Sequence, residues 1–109
     1  MPEAGNAAAF TAHTFAALGD PTRLGLVGRL SRGPAPIVRL AEGAGMSRQA
    51  VTKHLYVLER AGLVTCAKRG RTTVWALERR RLDEAKAALD AISGQWDAAL
   101  ERLRAFVEN

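Results

Sequence analysis

SRQAVTKHLYVLERAGLVTCAKRGR, residues 47–71, decides the fold. Val51, Leu55 and Leu58 are spaced four and three, which places them on one face of a helix over Arg48–Arg60. Ser47 stands where an N-cap belongs, and Gly62 where a helix closes on a left-handed residue. Beyond Gly62 the period changes. Leu63–Ala67 and Thr72–Leu77 are β-branched and aromatic runs around Lys68-Arg69-Gly70-Arg71. That pattern predicts a β-hairpin tipped by three cations and a glycine.

Upstream, Gly43-Ala44-Gly45 reads as a tight turn in which two glycines permit positive φ. Before it, Pro36 opens a short helix, Ile37–Glu42, with Ile37, Leu40 and Ala41 pointing inward. Helix, glycine turn, helix is the helix-turn-helix pattern, here over residues 36–60, and the hairpin over 63–77 is its wing. Further back, Asp20 caps a helix whose first position is Pro21, where a missing N–H costs nothing. Leu24, Val27 and Leu30/Ser31 form its expected buried stripe, and Ser31-Arg32-Gly33-Pro34 stops it. Ala7–Leu18 predicts a first helix with Phe10, Thr14/Phe15 and Leu18 on one stripe, ended by Gly19. Residues 1–6 read as a frayed terminus.

Downstream, Arg79–Asn109 carries Leu82, Ala85, Leu89, Ile92, Trp96, Leu100, Leu103 and Val107 at intervals of three or four. A helix of about 20 or more residues cannot hide so long a stripe against so small a core. The stripe implies a partner helix, most simply from a second copy of the chain; the alternative is a helix folded back on its own domain. Ser93-Gly94 is the point where this helix would bend or split. The expected fold is mainly α with a small β-hairpin wing. It is one winged helix-turn-helix domain over 1–109, ordered α-α-α-α-β-β-α, dimeric through its first and last helices (7–18 and 79–109). Phe10, Phe15, Leu89, Ile92, Trp96, Leu100 and Leu103 are the expected interface.

The 109 residues hold sixteen Lys and Arg against eleven Asp and Glu, a net charge of +5. Residues 47–71 hold six cations and one acid, so the whole excess lies there and the rest of the chain balances. Clustered positive charge is the footprint of a polyanion partner. With 48% hydrophobic and 25% charged residues the chain is neither disordered throughout nor fibrous. It has no apolar run of about 18 residues and so no membrane span. Glu3 sits where a secretory leader wants a cation, so the expected compartment is the bacterial cytoplasm, at the nucleoid.

The polar face of the Arg48–Arg60 helix supplies a mechanism. Arg48 and Gln49 lie in its first turn, where a reading helix approaches base edges. Arg can donate two hydrogen bonds to guanine, Gln can pair both ways with adenine, and Thr52 and Lys53 extend the surface. Ser47, His54 and Tyr56, with Lys68, Arg69 and Arg71 of the hairpin, are the expected backbone contacts. Arg79-Arg80-Arg81 either adds phosphate contacts or is simply solvated. Against a rival reading as a basic RNA-binding module, Tyr56 is the only aromatic on that face. A protein-interaction adaptor using the C-terminal stripe alone is a second rival. His13 and His54 lack neighbouring ligands, and the chain shows no catalytic triad, Walker loop or HExxH. No enzyme, metal or cofactor is therefore expected. Cys66 alone excludes an internal disulfide; it reads as a small buried apolar residue, with a redox-responsive repressor as the variant.

These residues resemble the ArsR/SmtB family of bacterial winged-helix repressors. The resemblance is carried by FAALGDPTRL at Phe15–Leu24, Leu40-Ala41, MSRQAVTKHL at Met46–Leu55, LERAGLV at Leu58–Val64 and Arg69-Gly70-Arg71. It covers most of Thr14–Leu77. It implies a homodimer built from first and last helices, bound to an inverted-repeat operator, repressing its own operon until an effector binds. It assigns base reading to Arg48, Gln49, Thr52 and Lys53, and wing contacts to Arg69 and Arg71. The family's metal-sensing branches carry a Cys-x-Cys-type pair near the start of the third helix, or His and acids on the last. Here the first stretch, Pro36–Glu42, has no cysteine and the last helix no histidine. The resemblance is therefore to a non-metal subgroup, with Trp96 in the dimer core.

Overall fold

The computed structural model describes residues 12–108. Phe10, the frayed terminus expected over 1–6 and the start of the first helix lie outside the described residues. Helix α1 is described over 12–18. It is followed by α2 (Pro21–Leu30), β1 (Ala35–Pro36), α3 (Ile37–Ala44), α4 (Arg48–Arg60), β2 (Val64–Arg69), β3 (Thr72–Leu77) and α5 (Arg79–Glu108). The strands form one antiparallel sheet in the order β1-β3-β2. This is the expected mainly helical winged helix-turn-helix, with one strand added.

Local chemistry sets the element ends. The Asp20 carboxylate accepts from the Arg23 N–H, and Ser47 Oγ accepts from the Ala50 N–H, so both caps satisfy a donor orphaned by the first turn. At the far end of α4 the Gly62 N–H donates to Glu59 O and the Leu63 N–H to Leu58 O, both at 2.9 Å. That pair of bonds, with Gly62 at φ 76°, is a Schellman closure, and Leu58 and Leu63 bury the accompanying apolar contact. A side chain at 62 would also meet Arg81 Nε at 2.9 Å. Gly62→Ala is therefore expected to lower stability by about 1–2 kcal/mol, the cost of a left-handed residue with a Cβ. Urea unfolding checks it; an unchanged midpoint would contradict the strain.

The core joins α2, α3, α4 and the sheet through Leu26, Leu30, Leu40, Val51, Leu55, Leu58, Leu63, Val64 and Trp75. Arg29 ties α2 to α3, donating to Leu40 O at 2.8 Å and Arg39 O at 2.9 Å. The inward faces of α3 and α4 are the expected ones: Leu40, Ala41, Val51, Leu55 and Leu58 are buried, and Ile37 packs against them.

Five expectations are corrected. In α2 the buried stripe is Leu26, Val27 and Leu30, while Leu24 is 56% exposed; leucines on both sides of Gly25 offered two registers, and packing against α4 and the sheet selects the second. Gly43 and Ala44 are the last turn of α3, so the turn is shorter than expected and only Gly45 takes positive φ. Ala35-Pro36 is a strand, pairing with Trp75 and Val74; Pro36 sits on an edge strand, where a missing donor is tolerated. Lys68 and Arg69 belong to β2, leaving a two-residue turn, Gly70-Arg71, with glycine at the first central position as a type II′ hairpin turn requires. Cys66 is exposed rather than buried, because β2 is an edge strand that outruns the core.

Helix α5 runs unbroken through Ser93-Gly94 for 30 residues, about 45 Å at ~1.5 Å per residue. Leu82 and Ala85 pack on the domain. From Leu89 onward the helix projects away, in a molecule 68 Å long and 33 Å across, and does not fold back.

Candidate nucleic-acid interface

The capped N-terminus of α4 presents Arg48, Gln49 and Lys53 to solvent. Ser47, itself exposed, spends its hydroxyl on the cap. Thr52 is partly buried, and its hydroxyl donates to Arg48 O at 2.7 Å, which leaves its lone pairs and methyl for a base. Tyr56 is half exposed and meets Trp75 edge-to-face at 6.0 Å. This contact braces the hairpin against α4, and it occupies the one aromatic that base stacking would use.

His54, expected to pack between helices or to meet a phosphate, packs between helices here. Its Nδ1 lies 3.4 Å from a terminal guanidinium nitrogen of Arg23 and 3.8 Å from Asp20 Oδ2. The ring therefore faces the start of α2 and joins the two helices. The Arg23 backbone N–H, together with the positive charges of Arg23 and His54, holds the Asp20 carboxyl below its ordinary 3.8 despite some desolvation. Its capping contribution is thus present above 3.8 and lost as pH falls through the lowered value.

The wing's cations do not share one face. Successive side chains of a strand alternate, so Lys68 projects on the side of Cys66 and Trp75, toward α4, and Arg69 on the other. Arg71 stands at the tip of the turn. All three are exposed. Cys66 Sγ lies 3.5 Å from Glu59 Oε2; desolvation and then the Glu59 carboxylate push the thiol above its usual range, which disfavours the reactive thiolate. The Arg79–Arg81 run divides. Arg80 and Arg81 pair with Glu84 at 3.5 and 3.0 Å, and Arg81 lies against Gly62 at the end of α4 remote from Arg48.

On α5, Leu89, Ile92, Trp96, Leu100 and Leu103 are 49–65% exposed, and Phe15 of α1 is partly buried. Phe106, 82% exposed, continues the stripe and was not anticipated, although its spacing of three from Leu103 was the available signal. Arg23 was also missed, because nothing local announces a side chain that bridges three elements.

Neither donor set named above for the metal-sensing branches is present. α3 begins without cysteine and α5 carries no histidine. Among the described residues no three His, Cys, Asp or Glu lie together. Nor is any described helix long and apolar enough to cross a membrane.

A basic helix braced by a cationic hairpin on a winged helix-turn-helix defines a DNA-binding transcriptional regulator. Residues 18–67 match the family model described as a helix-turn-helix domain. The chain is 44% identical over 71 residues to the HTH-type transcriptional regulator NmtR of Mycobacterium tuberculosis, covering 65% of this chain and 59% of that protein's length. It is 38% identical over 84 residues to the HTH-type transcriptional regulator Rv2034 of the same organism, covering 77% and 76%. It superimposes on an ArsR-like transcriptional regulator from Rhodococcus sp. RHA1 with a TM-score of 0.77 at 34% identity, covering 88% and 91%. The chain belongs to the ArsR/SmtB family of winged helix-turn-helix transcriptional regulators.

Proposed function

We propose that the protein is a homodimeric repressor that binds an inverted-repeat operator, in the cytoplasm and at the nucleoid, and releases it when an effector binds. One observation carries this reading: the apolar stripe of α5, from Leu89 to Val107, is uncovered on a helix that leaves its own domain. A second copy buries it with the least new chemistry, because a twofold axis brings the same stripe onto itself. Two α4 helices about 34 Å apart then meet successive major grooves on one face of the duplex. Arg48, Gln49, Thr52 and Lys53 read bases; Ser47, Tyr56, Lys68, Arg69 and Arg71 meet phosphates. His54 supports α4 from behind, and no metal takes part.

Selection of DNA from a random pool, with stoichiometry, tests this. A twofold-symmetric consensus bound by two chains is expected. One chain per duplex, no consensus, or preference for RNA would overturn it. Arg71→Ala is expected to flatten the plot of log affinity against log salt by about 1 per half-site, and to weaken all sequences alike. An unchanged slope would remove the hairpin tip from the backbone contacts. The thiol of Cys66, pushed up by desolvation and by Glu59, gives the redox variant no support.

A further inference from the structure

We propose that the cleft between α1, α2, the end of α4 and the start of α5 is an effector site for a small anion with an apolar part, a carboxylate or a phosphate monoester. Its regulatory consequence rests on the repressor reading above; its chemistry does not. The cleft holds about 630 Å³, a small-molecule volume. Arg23, Arg60, Arg81 and His13 line it, and none of the described residues lining it is acidic. Ala16, Ala17, Val57 and Ala61 supply apolar wall.

Three guanidinium groups around one concavity repel each other, and an anion converts that repulsion into attraction. The planar guanidinium fork matches a carboxylate or phosphate edge. Arg23 is already held in place, its Nε donating to Ala17 O at 2.6 Å, while exposed Arg60 has a long contact from Nε to Tyr56 O at 3.4 Å. Ordering Arg23 for a ligand therefore costs less entropy. The third, Arg81, is paired with Glu84, and a ligand must compete with that carboxylate.

The position suits control. Arg60 is on α4, Arg81 on α5, and one anion between them ties the reading helix to the helix that carries the pairing stripe. Arg60 stands twelve residues beyond Arg48, about 18 Å along the axis, so a ligand here acts without entering the groove.

The test titrates the full chain, without DNA, with benzoate, phenyl phosphate and uncharged benzyl alcohol, following backbone amide NMR signals. Both anions are expected to shift Ala16, Val57, Ala61 and Gly62 saturably, and benzyl alcohol to bind about tenfold more weakly. The tighter anion identifies the ligand class. Arg60→Gln, checked for an unchanged melt, should weaken the anions about tenfold, and Arg60→Lys, which keeps the charge but not the fork, should recover only part of that loss. Static signals, equal binding of benzyl alcohol, an indifferent Arg60→Gln, or shifts confined to Ser47–Lys53 and the hairpin would each overturn the site. Operator binding is read separately by gel shift. No operator binding by the ligand-free chain, with the cleft signals intact, sinks the repressor reading alone, and a silent cleft with intact operator binding sinks this site alone.

Discussion

Trp96→Asp combined with Leu100→Asp is expected to leave each domain folded, dissociate the dimer and weaken operator binding by at least about a hundredfold. Both residues lie on the part of α5 that touches no core: Trp96 is 65% and Leu100 57% exposed in the single chain. The core residues Leu26, Leu40, Leu55 and Trp75 lose nothing, so the domain's melting transition should survive. In the proposed dimer the same two positions are counted twice. Each fully buried large apolar side chain contributes about 1.5–3 kcal/mol, and four carboxylates would be forced into an apolar seam. Two substitutions therefore remove most of what holds a helix pair together. A monomer engages one half-site and loses the second set of phosphate and base contacts. Sedimentation equilibrium and gel shift on one sample read both consequences. A variant that stays dimeric would show that some other surface pairs the chains, and a monomer that still binds as tightly would show that pairing is not needed.

The helix-turn-helix was legible in the sequence because its signals are local. Val51, Leu55 and Leu58 fix the buried face of α4 by spacing alone, and Ser47 and Gly62 mark its ends with residues chosen for one backbone geometry each. The hairpin was legible for the same reason: Gly70 is the residue that lets two residues reverse the chain. What failed was whatever a distant element decides. The choice between Leu24 and Leu26 in α2 is made by the sheet and α4, and both residues satisfy helical spacing. β1 is two residues long and includes a proline, so no periodicity could announce it. Cys66 read as buried because its strand is apolar, but an edge strand running past the core buries only its first residues, here Val64. In the candidate site, sequence picked out the exposed cations but not how the wing divides them between its faces, nor what supports them. His54 and Arg23 meet across 31 residues of chain, a distance over which no sequence pattern operates.

Gln49→Ala is expected to relax base preference at one position in each half-site without altering the salt dependence of binding. Gln49 is uncharged and exposed in the first turn of α4, so its loss removes a directional donor and acceptor but no cation. Arg48 beside it, in no ion pair among the described residues, supplies the comparison. Arg48→Ala should also relax one position per half-site, and should flatten the salt slope only to the extent that its charge rests on a phosphate. A bidentate base contact is worth about 1–3 kcal/mol of discrimination. Symmetry presents it twice, so the full operator should lose about 2–6 kcal/mol of specificity, roughly thirtyfold to 10⁴-fold. The relaxed positions must be mirror images about the operator dyad, because one residue on two related helices reads both. Equal weakening on every sequence would place Gln49 and Arg48 on the backbone instead. Relaxation on one side only would contradict the twofold arrangement. The slope and the symmetry of the changed positions therefore separate base reading from charge, and pairing from both.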